Sequence, residues 1–377
     1  MGVYITDFNA CCNLGSNIKD IYEQAILGKK FFKQLKNVLL DKEARIACIS
    51  IDLPQIDDEK FNIRCNQLIL QNLNLLKDKI DQLKEKYSTK AIAVVVATTN
   101  SGVEEYVETN NIFYSELGNP AQFIRDYLKL ENFYTTVSTA CSSGIKAFSI
   151  ARDLLNKEIA KAVIVVGVDP ISRVPLFGFD ALEVLSETAT NPLSKNRSGI
   201  NIGEAVATFI VEKDISDGIK IKGIGETTDT YHATTPDPDG KEVIKAMKIA
   251  LDEANMQVSD IDYINLHGTG TFANDSMEAK AVNSLFGEEI PMSSTKPLTG
   301  HCLGAAAGIE IALCCYLINN FEGLLYPHLF DGLYDESLPL INLVKIDKKY
   351  KKCDNCMCNS FGFGGTNAII ILGKDNE

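Results

Sequence analysis

The amino-acid sequence predicts a layered α/β fold made of two similar halves. Two continuous apolar runs, Ala91 to Ala97 and Lys161 to Val168, have the length and composition of strands buried on both faces. Elsewhere apolar residues recur every three or four positions, as in Lys241 to Ala254, which indicates helices with one buried face. Because strands alternate with helices, we expect helices to cover a largely parallel sheet. The plan occurs twice, so we place the halves at residues 1–215 and 216–377.

The composition is that of a globular protein with an acidic surface. Of the 377 residues, 45% are hydrophobic and 23% are charged, and the formal net charge is −13. This balance argues against non-specific binding to nucleic acid, which needs a basic surface. The longest strongly apolar run, Ile309 to Ile318, contains Glu310 and is too short to cross a bilayer. We therefore expect no nucleic-acid partner and no membrane span.

The cysteine content and the N-terminal region together indicate a compartment. The chain contains 11 cysteines. Its first 30 residues lack a basic start followed by an apolar block, so no signal peptide is expected. Free thiols in this number suit a reducing cytosol, and we predict a cytoplasmic protein.

The first half opens with a β-branched strand and a turn at Asn13 to Gly15. Apolar runs then predict strands, leucines at helical spacing predict helices, and Asn-rich stretches predict connections. In chain order we expect a helix at Ile18 to Leu27, an irregular stretch at 36–60, an amphipathic helix at 61–86, a strand at Ala91 to Ala97, a polar connection at Thr98 to Asn119, a helix at Ala121 to Leu130, a strand at Lys161 to Val168, a loop and helix at Ile171 to Arg197, and a strand at Ile202 to Val211.

The second half repeats this plan after a hinge at Asp214 to Gly218. Its elements are expected to be a strand at Ile219 to Gly225, a helix at Lys241 to Ala254, a strand at Asp262 to Leu266, a helix that starts at Asp275, a helix at Leu303 to Ile318, and a closing strand at Ala368 to Leu372. Asp275 and Glu278 resemble a capping box, in which a side chain at the helix start and one three residues later satisfy free backbone N–H groups.

The stretch from Val137 to Ala147 concentrates the chemical signals of the first half. A β-branched segment leads into small residues and Cys141, and apolar side chains at helical spacing follow. Cys141 is therefore expected on a tight turn at a helix N-terminus. The positive end of the helix dipole favours an anion there, so we expect a lowered thiol pKa and a reactive nucleophile. The alternative is a buried structural cysteine, which is the commoner role of free cysteines.

The four histidines add a second signal. They are His232, His267, His301 and His328. His267 and His301 each have a neighbouring glycine in a loop after a predicted strand, and glycine allows a sharp bend and close approach of a substrate. A structural role is the alternative for each histidine. Zinc is disfavoured because no paired ligand spacing is present, so we expect no metal.

Four motifs in order resemble the β-ketoacyl-acyl-carrier-protein synthases of the elongating Cys-His-His class, in the thiolase superfamily. They are Thr139 to Ser143, His267 to Thr271, Lys296 with Gly300-His301, and Asn359 to Asn367. The resemblance covers nearly the whole chain. It implies a thiolase-like five-layered αβαβα fold with two pseudo-duplicated halves, in which the first half carries the nucleophile and the second both histidines.

The resemblance also assigns roles to individual residues. Cys141 resembles the nucleophile that takes the acyl chain from its carrier as a thioester. His267 and His301 resemble the pair that promotes decarboxylation of the malonyl thioester and stabilises the resulting enolate. Lys296 resembles the lysine that orders the site electrostatically, although a solvated surface lysine is the alternative. Glu310 stands where the family has a buried glutamate that supports them.

Further positions match residues that contact the substrate. Phe363 matches the gating phenylalanine, and its backbone N–H with that of Cys141 would form the oxyanion hole. Thr269 and Thr271 match hydroxyl groups that bind the phosphopantetheine arm. The glycine loop around Phe363 lacks the Lys-Ser/Thr ending of a phosphate-binding loop. His232 resembles a residue that lines the approach to the site.

The implied reaction is a decarboxylating condensation. Cys141 is acylated, malonyl-acyl-carrier-protein then loses carbon dioxide, and its carbanion attacks the thioester to extend the chain by two carbons. No cofactor bound by the protein is implied, because the phosphopantetheine arrives on the acyl carrier protein. Lys60 and Arg64 match a basic patch that docks this acidic partner, with a solvated helix end as the alternative.

The segment from Gly102 to Cys141 looks shorter than in the common fatty-acid enzymes. It normally forms part of the dimer interface and of the acyl pocket. Asn191 to Glu204 and Asn274 to Ala279 resemble a shorter branch found in aryl-polyene and related pathways. The resemblance implies a homodimer or a heterodimer with a chain-length-factor-like subunit, and leaves acyl length and pathway open.

Two other functions remain as alternatives. A degradative thiolase would carry a second catalytic cysteine in the C-terminal glycine loop, where this chain has Phe363. A non-catalytic chain-length-factor-like subunit would lack the nucleophile, whereas Cys141 is present. The remaining cysteine group, Cys353, Cys356 and Cys358, could suggest a metal knuckle, but the expected position on a strand favours packing.

Overall fold

A computed structural model of the chain describes residues 2–36, 39, 43–215 and 217–375. It contains a mixed sheet of ten strands and a small sheet of three strands. The strands are β1 (Val3–Cys12), β2 (Lys33–Leu35), β3 (Ala44–Ala47), β4 (Ile92–Ala97), β5 (Tyr134–Val137), β6 (Ala162–Asp169), β7 (Ile202–Gly203), β8 (Ala205–Lys213), β9 (Ile219–Thr228), β10 (Tyr263–Asn265), β11 (Met292–Ser293), β12 (Asn355–Gly362) and β13 (Thr366–Gly373). The helices are α1 (Ile18–Ile26), α2 (Arg64–Leu75), α3 (Lys77–Tyr87), α4 (Val103–Thr109), α5 (Ile112–Ser115), α6 (Asn119–Leu128), α7 (Ser143–Asn156), α8 (Arg173–Ala181), α9 (Lys241–Ala254), α10 (Phe272–Phe286), α11 (Lys296–Thr299) and α12 (Ala306–Asn319).

The ten-stranded sheet consists of two halves with the same strand pairing. In the first half, β4 lies parallel between β5 and β6, and β8 runs antiparallel to both β6 and β1. In the second half, β10 lies parallel between β11 and β12, and β13 runs antiparallel to both β12 and β9. The halves join where β1 pairs with β9. The pseudo-duplication expected from the sequence is therefore confirmed.

The position of the boundary between the halves stays a prediction. Residue 216, where the second half was expected to start, lies outside the described residues. The predicted hinge at Asp214 to Gly218 includes the same residue.

Alternating side chains of the strands pack into different hydrophobic layers. Val94 of β4 packs with α2, α3 and α6, whereas its neighbour Val95 faces α7 and α12. In the second half, Ile369 of β13 packs with α9 and α10, and Ile370 faces the same central helices. The two halves of the ten-stranded sheet therefore lie on opposite sides of the central helices, and each half is covered by further helices on its outer face. This is the five-layered αβαβα arrangement of the thiolase-like fold.

The central helices α7 and α12 pack closely because small residues meet at their contact. A Cβ added to Gly144 would lie 2.8 Å from the Cβ of Ala307 and 2.9 Å from the backbone N of Gly308. The chain enters α7 directly after Cys141 and approaches α12 directly after His301, through a 3₁₀ turn at Leu303–Ala305. The central layer therefore brings two predicted site residues from different halves to one place.

Several element bounds differ from the sequence-based expectation. The helix expected at 61–86 is two helices, α2 and α3, which meet at Leu76, and Leu75 at this junction is half exposed. The stretch expected to be irregular contains β3, which pairs with β2 and β7. The polar connection before α6 contains α4 and α5.

No helix among the described residues has both the length and the apolar character that a bilayer span requires.

Candidate active site

The turn that carries Cys141 connects β5 to α7 and bends sharply. Ala140 has a left-handed backbone conformation with φ of 53°, which is strained for a residue with a Cβ. The hydroxyl of Ser143 supports this turn, since it accepts a hydrogen bond from the Thr139 N–H at 2.8 Å and donates to the Ala140 carbonyl at 2.6 Å. The Cys141 side chain is buried directly before the helix, the position that the sequence predicts.

His301 follows α11 and faces the sulfur of Cys141. Its Nε2 lies 3.2 Å from the Cys141 Sγ, and its Nδ1 accepts a hydrogen bond from the Leu303 backbone N–H at 3.1 Å. A ring nitrogen that accepts a hydrogen bond carries no proton, so the proton of the neutral ring lies on Nε2. The backbone is fixed as well, because the His301 N–H donates to Asn201 and the His301 carbonyl accepts from Gly203. His301 thus presents an N–H donor to the sulfur.

His267 follows β10, and a buried carboxylate holds its loop. Glu278 on α10 accepts hydrogen bonds from the backbone N–H groups of His267 at 2.8 Å and Gly268 at 2.7 Å. The Asn359 side-chain amide donates to the same carboxylate at 3.1 Å. The ring Nδ1 lies 3.3 Å from the Nζ of Lys296, and the ring also has a hydrogen bond to the backbone of Phe361.

The two imidazole rings meet edge to face. Their centroids are 5.4 Å apart with an interplanar angle of 88°. One ligand atom each from Cys141, His267 and His301 lies within 4.8 Å of the others. The convergence of these three distant loops, which the sequence motifs predict, is present in the structure.

Lys296 and Glu310 form a buried ion pair behind the rings. The Lys296 Nζ is 2.6 Å from the Glu310 Oε1, and both side chains are almost inaccessible to solvent. Burial raises the pKa of Glu310 to about 7, although the charge of Lys296 opposes this. The pair places a cation beside His267. Its contribution to catalysis stays a prediction.

Burial sets the protonation states of the site. It lowers the pKa of His267 and of His301 well below their usual range, and Lys296 adds to this in both cases. Burial also raises the pKa of the Cys141 thiol to about 12, against the opposing charge of Lys296. The expectation of a lowered thiol pKa is therefore wrong, because the loss of hydration outweighs the helix end. At neutral pH the site holds a thiol and two neutral imidazoles.

The sulfur and both rings line a cleft of about 650 Å³. Thr269 and Thr271 also line it, with their hydroxyl oxygens 3.0 Å apart. Phe363, 40% exposed, contacts Phe179 of α8 with ring centroids 5.7 Å apart, and Ile200 adds an apolar wall. His232 lies on the same cleft, the approach that the resemblance implies for it. The cleft therefore combines polar groups at the sulfur with apolar walls.

The two residues predicted to dock a carrier have different environments. Lys60 is half exposed, with its Nζ 3.7 Å from Asp58 and 4.4 Å from the centre of the Phe61 ring. Arg64 instead makes two hydrogen bonds, of 2.6 and 2.7 Å, to the fully buried carboxylate of Glu204. Because this carboxylate neutralises the guanidinium, the geometry argues against Arg64 as a docking charge. The docking role of Lys60 stays a prediction.

The predicted capping box is wrong. α10 begins at Phe272 with Thr271 as its N-cap, so Asp275 lies buried in the first turn rather than at the cap, and Glu278 lies buried further along the helix. Both carboxylates bind backbone N–H groups of neighbouring loops; Asp275 accepts from Leu193 and Gly270. Sequence reasoning missed this loop-holding role. The available signal was two carboxylates on the inward face of a helix that directly follows the histidine motif.

The cysteine group near the C-terminus is the other place where the sequence could suggest a metal. All eleven cysteines are free, and Cys353, Cys356 and Cys358 are buried beside or within β12. In the part of the chain that the structure describes, the one group with metal-ligand spacing is Cys141, His267 and His301. At His301 the Nε2 that faces the sulfur carries the ring proton, and a metal ligand needs an unprotonated nitrogen. This tautomer fits hydrogen-bond donation to a substrate better than metal binding.

Two family models match the chain. Residues 80–215 match the family model described as "Beta-ketoacyl synthase, N-terminal domain". Residues 219–328 match "Beta-ketoacyl synthase, C-terminal domain". Among curated proteins, 3-oxoacyl-[acyl-carrier-protein] synthase 2 of Staphylococcus aureus (strain COL) is 33% identical over 252 residues, which cover 63% of this chain and 60% of the relative. The counterpart from Coxiella burnetii is 34% identical over 256 residues, 63% of this chain and 61% of the relative. The match thus spans about three fifths of these relatives.

Solved structures extend the similarity over the whole chain. The ketosynthase ApeO in complex with its chain length factor ApeC, from Xenorhabdus doucetiae, gives a TM-score of 0.94 at 35% identity, covering 99% of this chain and 98% of the solved chain. A β-ketoacyl synthase from Burkholderia phymatum gives 0.88 at 22% identity with full coverage of both chains. The second match shows the shared fold alone.

Proposed function

Because the chain belongs to the β-ketoacyl synthase family, we propose that it joins an acyl group on Cys141 to a malonyl group on an acyl carrier protein. One observation carries this proposal. The Cys141 sulfur lies 3.2 Å from the His301 Nε2, and a second imidazole, His267, faces the same cleft. This arrangement offers a nucleophile and two N–H donors to one substrate.

The first step is acyl transfer from the carrier to the enzyme. The Cys141 sulfur attacks the carbonyl carbon of the acyl-carrier thioester, the carrier sulfur leaves, and the thiol proton passes to the carrier sulfur. The negative charge that develops on the carbonyl oxygen is stabilised by the backbone N–H groups of Cys141 and Phe363, which both line the cleft. Because burial keeps the thiol protonated, sulfur gives up its proton only as the new bond forms.

The second step is decarboxylation followed by carbon–carbon bond formation. The malonyl thioester loses its carboxylate as carbon dioxide, and the electron pair forms an enolate. His267 and His301 donate hydrogen bonds from Nε2 to the enolate oxygen, which is the electrostatic stabilisation that such a charge needs. The enolate carbon attacks the acyl carbonyl, the Cys141 sulfur leaves, and it takes a proton from solvent. The product is a β-ketoacyl thioester that is two carbons longer.

Lys296 acts on this step through His267. Its ammonium group lies 3.3 Å from the His267 Nδ1, and donation to this atom leaves the ring proton on Nε2. Burial, together with the same positive charge, lowers the pKa of His267 and of His301 and keeps both rings neutral. Glu310 holds Lys296 in place from the other side.

The substrates reach the site on a carrier. We place the phosphopantetheine arm of an acyl carrier protein along the cleft, with Thr269 and Thr271 as its hydroxyl contacts and Lys60 as a charge for the acidic carrier. This arm replaces any cofactor held by the protein itself. Eleven free thiols support a reducing, cytoplasmic setting for the reaction.

A second subunit is proposed at the edge of the ten-stranded sheet. β5 is the last strand at this edge, and Phe133 and Tyr134 at its start are 47% and 36% exposed, with Tyr127 of α6 48% exposed close by in sequence. Open edges and exposed aromatic groups need a cover. The similarity to ApeO with its chain length factor supports a heterodimer, and a homodimer is the alternative. The sequence motifs at Asn191 to Glu204 and Asn274 to Ala279 lead us to propose a specialised, polyene-like product rather than a primary fatty acid.

Mass spectrometry of the intact protein tests the proposed chemistry. The protein is mixed with acyl carrier proteins that bear acyl groups of different lengths, and we expect one acyl group to remain on Cys141. Adding malonyl carrier protein should then remove it and yield a β-ketoacyl carrier. Cys141→Ala should show no acyl mass, while the control Cys48→Ala, which removes a more accessible thiol, should behave like wild type. An adduct that survives Cys141→Ala contradicts the proposal.

A further inference from the structure

A chain of three hydroxyl groups joins the Cys141 turn to the glycine loop that carries Phe363. We propose that two of them, those of Ser142 and Thr366, are positioning groups that set the spacing between the backbone N–H of Cys141 and that of Phe363. This inference rests on the proposed function, in which these two N–H groups stabilise the same oxyanion.

The hydroxyl groups form a closed ring of hydrogen bonds. The Thr139 Oγ1 lies 3.0 Å from the Ser142 Oγ, the Ser142 Oγ lies 2.9 Å from the Thr366 Oγ1, and the Thr366 Oγ1 lies 3.2 Å from the Thr139 carbonyl oxygen. Each hydroxyl has one proton to donate. All three bonds form at once when Thr139 donates to Ser142, Ser142 to Thr366, and Thr366 to the Thr139 carbonyl. The Ser142 Oγ also lies 2.8 Å from the Thr139 carbonyl oxygen, so this oxygen competes with Thr366 for the Ser142 proton.

The ring crosses between segments that are more than 200 residues apart in sequence. Thr366 is the first residue of β13, where it pairs with Thr228 and Gly362, so its own position is fixed by the sheet. Ser142 is fully buried next to the nucleophile. The ring therefore ties the turn to a rigid strand.

The glycine loop has other supports, since the Ser360 Oγ donates to the Cys141 carbonyl at 2.7 Å and the backbones of Gly364 and Gly365 bond to Ala233 and Asp229. These bonds do not involve Thr139 or Ser142, which the hydroxyl ring alone joins to Thr366. Gly364 and Gly365 have positive φ angles of 85° and 79°, and Phe363 between Gly362 and Gly364 is 40% exposed. At Gly362 the loop touches the turn directly, since an added Cβ would lie 2.8 Å from the Thr139 carbonyl oxygen. Loss of the hydroxyl ring would let this contact slide and would change the distance between the two N–H groups.

The proposed role of Ser142 and Thr366 affects acyl transfer and condensation but not decarboxylation. Acyl transfer to Cys141 and condensation both place a carbonyl oxygen between the N–H groups of Cys141 and Phe363. Decarboxylation of malonyl carrier protein places its enolate oxygen at His267 and His301 instead. A positioning group for the oxyanion hole should therefore change acyl transfer without changing decarboxylation.

The experiment measures the two half-reactions separately. Single-turnover acylation of Cys141 is followed by mass spectrometry, and carbon dioxide release from malonyl carrier protein is followed without an acyl donor. In Ser142→Ala and in Thr366→Val we expect acylation to slow about tenfold, less than the loss of an oxyanion-hole donor itself, while carbon dioxide release stays within about twofold. The double variant should be no slower than the slower single variant, because both act through one ring.

Matched variants keep the test decisive. Thr366→Ser retains the hydroxyl and should acylate like wild type, and Ser284→Ala removes a hydroxyl that bonds only within α10 and should change neither rate. Melting temperatures identify variants that are merely unfolded, in which both half-reactions fall together. Equal losses in both half-reactions, or a loss in Thr366→Ser as large as in Thr366→Val, overturn the inference. Absence of acylation in the wild type would instead overturn the proposed function.

Discussion

His301 and His328 are two buried histidines with nearly the same hydrogen bonding and different surroundings. Each accepts a backbone N–H at Nδ1 at 3.1 Å, from Leu303 and from Ser294 respectively. Each therefore carries its proton on Nε2. The Nε2 of His328 lies 3.0 Å from the carbonyl oxygen of Pro192, whereas that of His301 lies 3.2 Å from the sulfur of Cys141.

The difference lies in what the remaining N–H meets. A carbonyl satisfies the N–H of His328 completely, so this ring connects two loops and serves stability. Thiol sulfur is a weak acceptor, and the cleft beside it leaves room for a substrate oxygen. His301 thus keeps a donor that the protein itself does not satisfy well. Lys60 and Arg64 show a similar contrast, because the partner of Arg64, Glu204, is buried and 2.6 Å away, whereas the partner of Lys60, Asp58, is exposed and 3.7 Å away.

The largest effect is expected from removing the donor that faces the cleft. His301→Ala should lower the rate of condensation by about 10²–10³-fold, as for other groups that stabilise an oxyanion. The matched variant His328→Ala should leave the rate of the folded enzyme within about twofold and instead lower the free energy of unfolding by about 1–3 kcal/mol, because it leaves a buried N–H and a buried carbonyl unpaired. Turnover of malonyl and acyl carriers, with urea denaturation, measures both. Equal losses of rate in the two variants would contradict the comparison.

A smaller effect is expected from protonating the structural ring. Burial lowers the pKa of His328 to about 4, while an unfolded histidine titrates near about 6.5. Since the folded pKa is depressed, the stability gained from the neutral ring is full above about pH 6.5 and is lost as the pH falls toward about 4. For His328 alone the free energy of unfolding should fall by about 2 kcal/mol between about pH 7 and about pH 5.

Two glutamates act in the opposite direction and make a control necessary. The pKa values of Glu278 and Glu310 are raised to about 7, so their contribution to stability is lost as the pH rises through about 4.5 to about 7. The informative quantity is therefore the difference between wild type and His328→Gln in urea denaturation at each pH. If the two proteins lose stability in parallel on acidification, the neutral state of His328 is not the cause.

The smallest effect is expected at the docking surface. Lys60→Ala should raise the KM for the acyl carrier protein about two- to fivefold, the size of one exposed charge pair, and added salt should reduce the difference. Arg64→Ala should leave the salt dependence of KM unchanged and lower stability instead, because Glu204 loses its partner. Steady-state kinetics at two salt concentrations separates the two. A salt-dependent KM change in Arg64→Ala would show that its charge is available to the carrier after all.

The sequence predicts the strands and the meeting of the site loops for identifiable reasons. Ala91 to Ala97 is apolar at every position, and a strand buried on both faces needs that pattern. Cys141 precedes α7, His301 precedes α12, and His267 follows β10. The thiolase-like fold that the motifs imply brings these three places together, so the convergence of the side chains could be predicted. Local pattern was sufficient in these cases.

Other features depend on residues that are distant in the chain. The raised pKa of Cys141 results from burial by segments of both halves, which no local pattern reveals. Arg64 finds its partner Glu204 140 positions later in the sequence. Asp275 and Glu278 looked like helix caps because the loops that they bind lie outside the local sequence. In each case a tertiary contact decided the outcome.

The close crossing of α7 and α12 has a consequence for how the enzyme tolerates its substrates. Because Gly144 packs directly on Ala307, we expect little relative sliding of the two helices, so that Cys141 and His301 keep their spacing. Adaptation to longer, bent or stiff chains must then come from the periphery, where α8 and the small three-stranded sheet form a separate apolar wall with Ile200 and Phe179. The reacting groups thus lie at the tightly packed crossing of α7 and α12, whereas the apolar wall that can contact an acyl chain lies at the edge of the fold. Substitutions in this wall can change which chains are accepted without changing the spacing of the reacting groups.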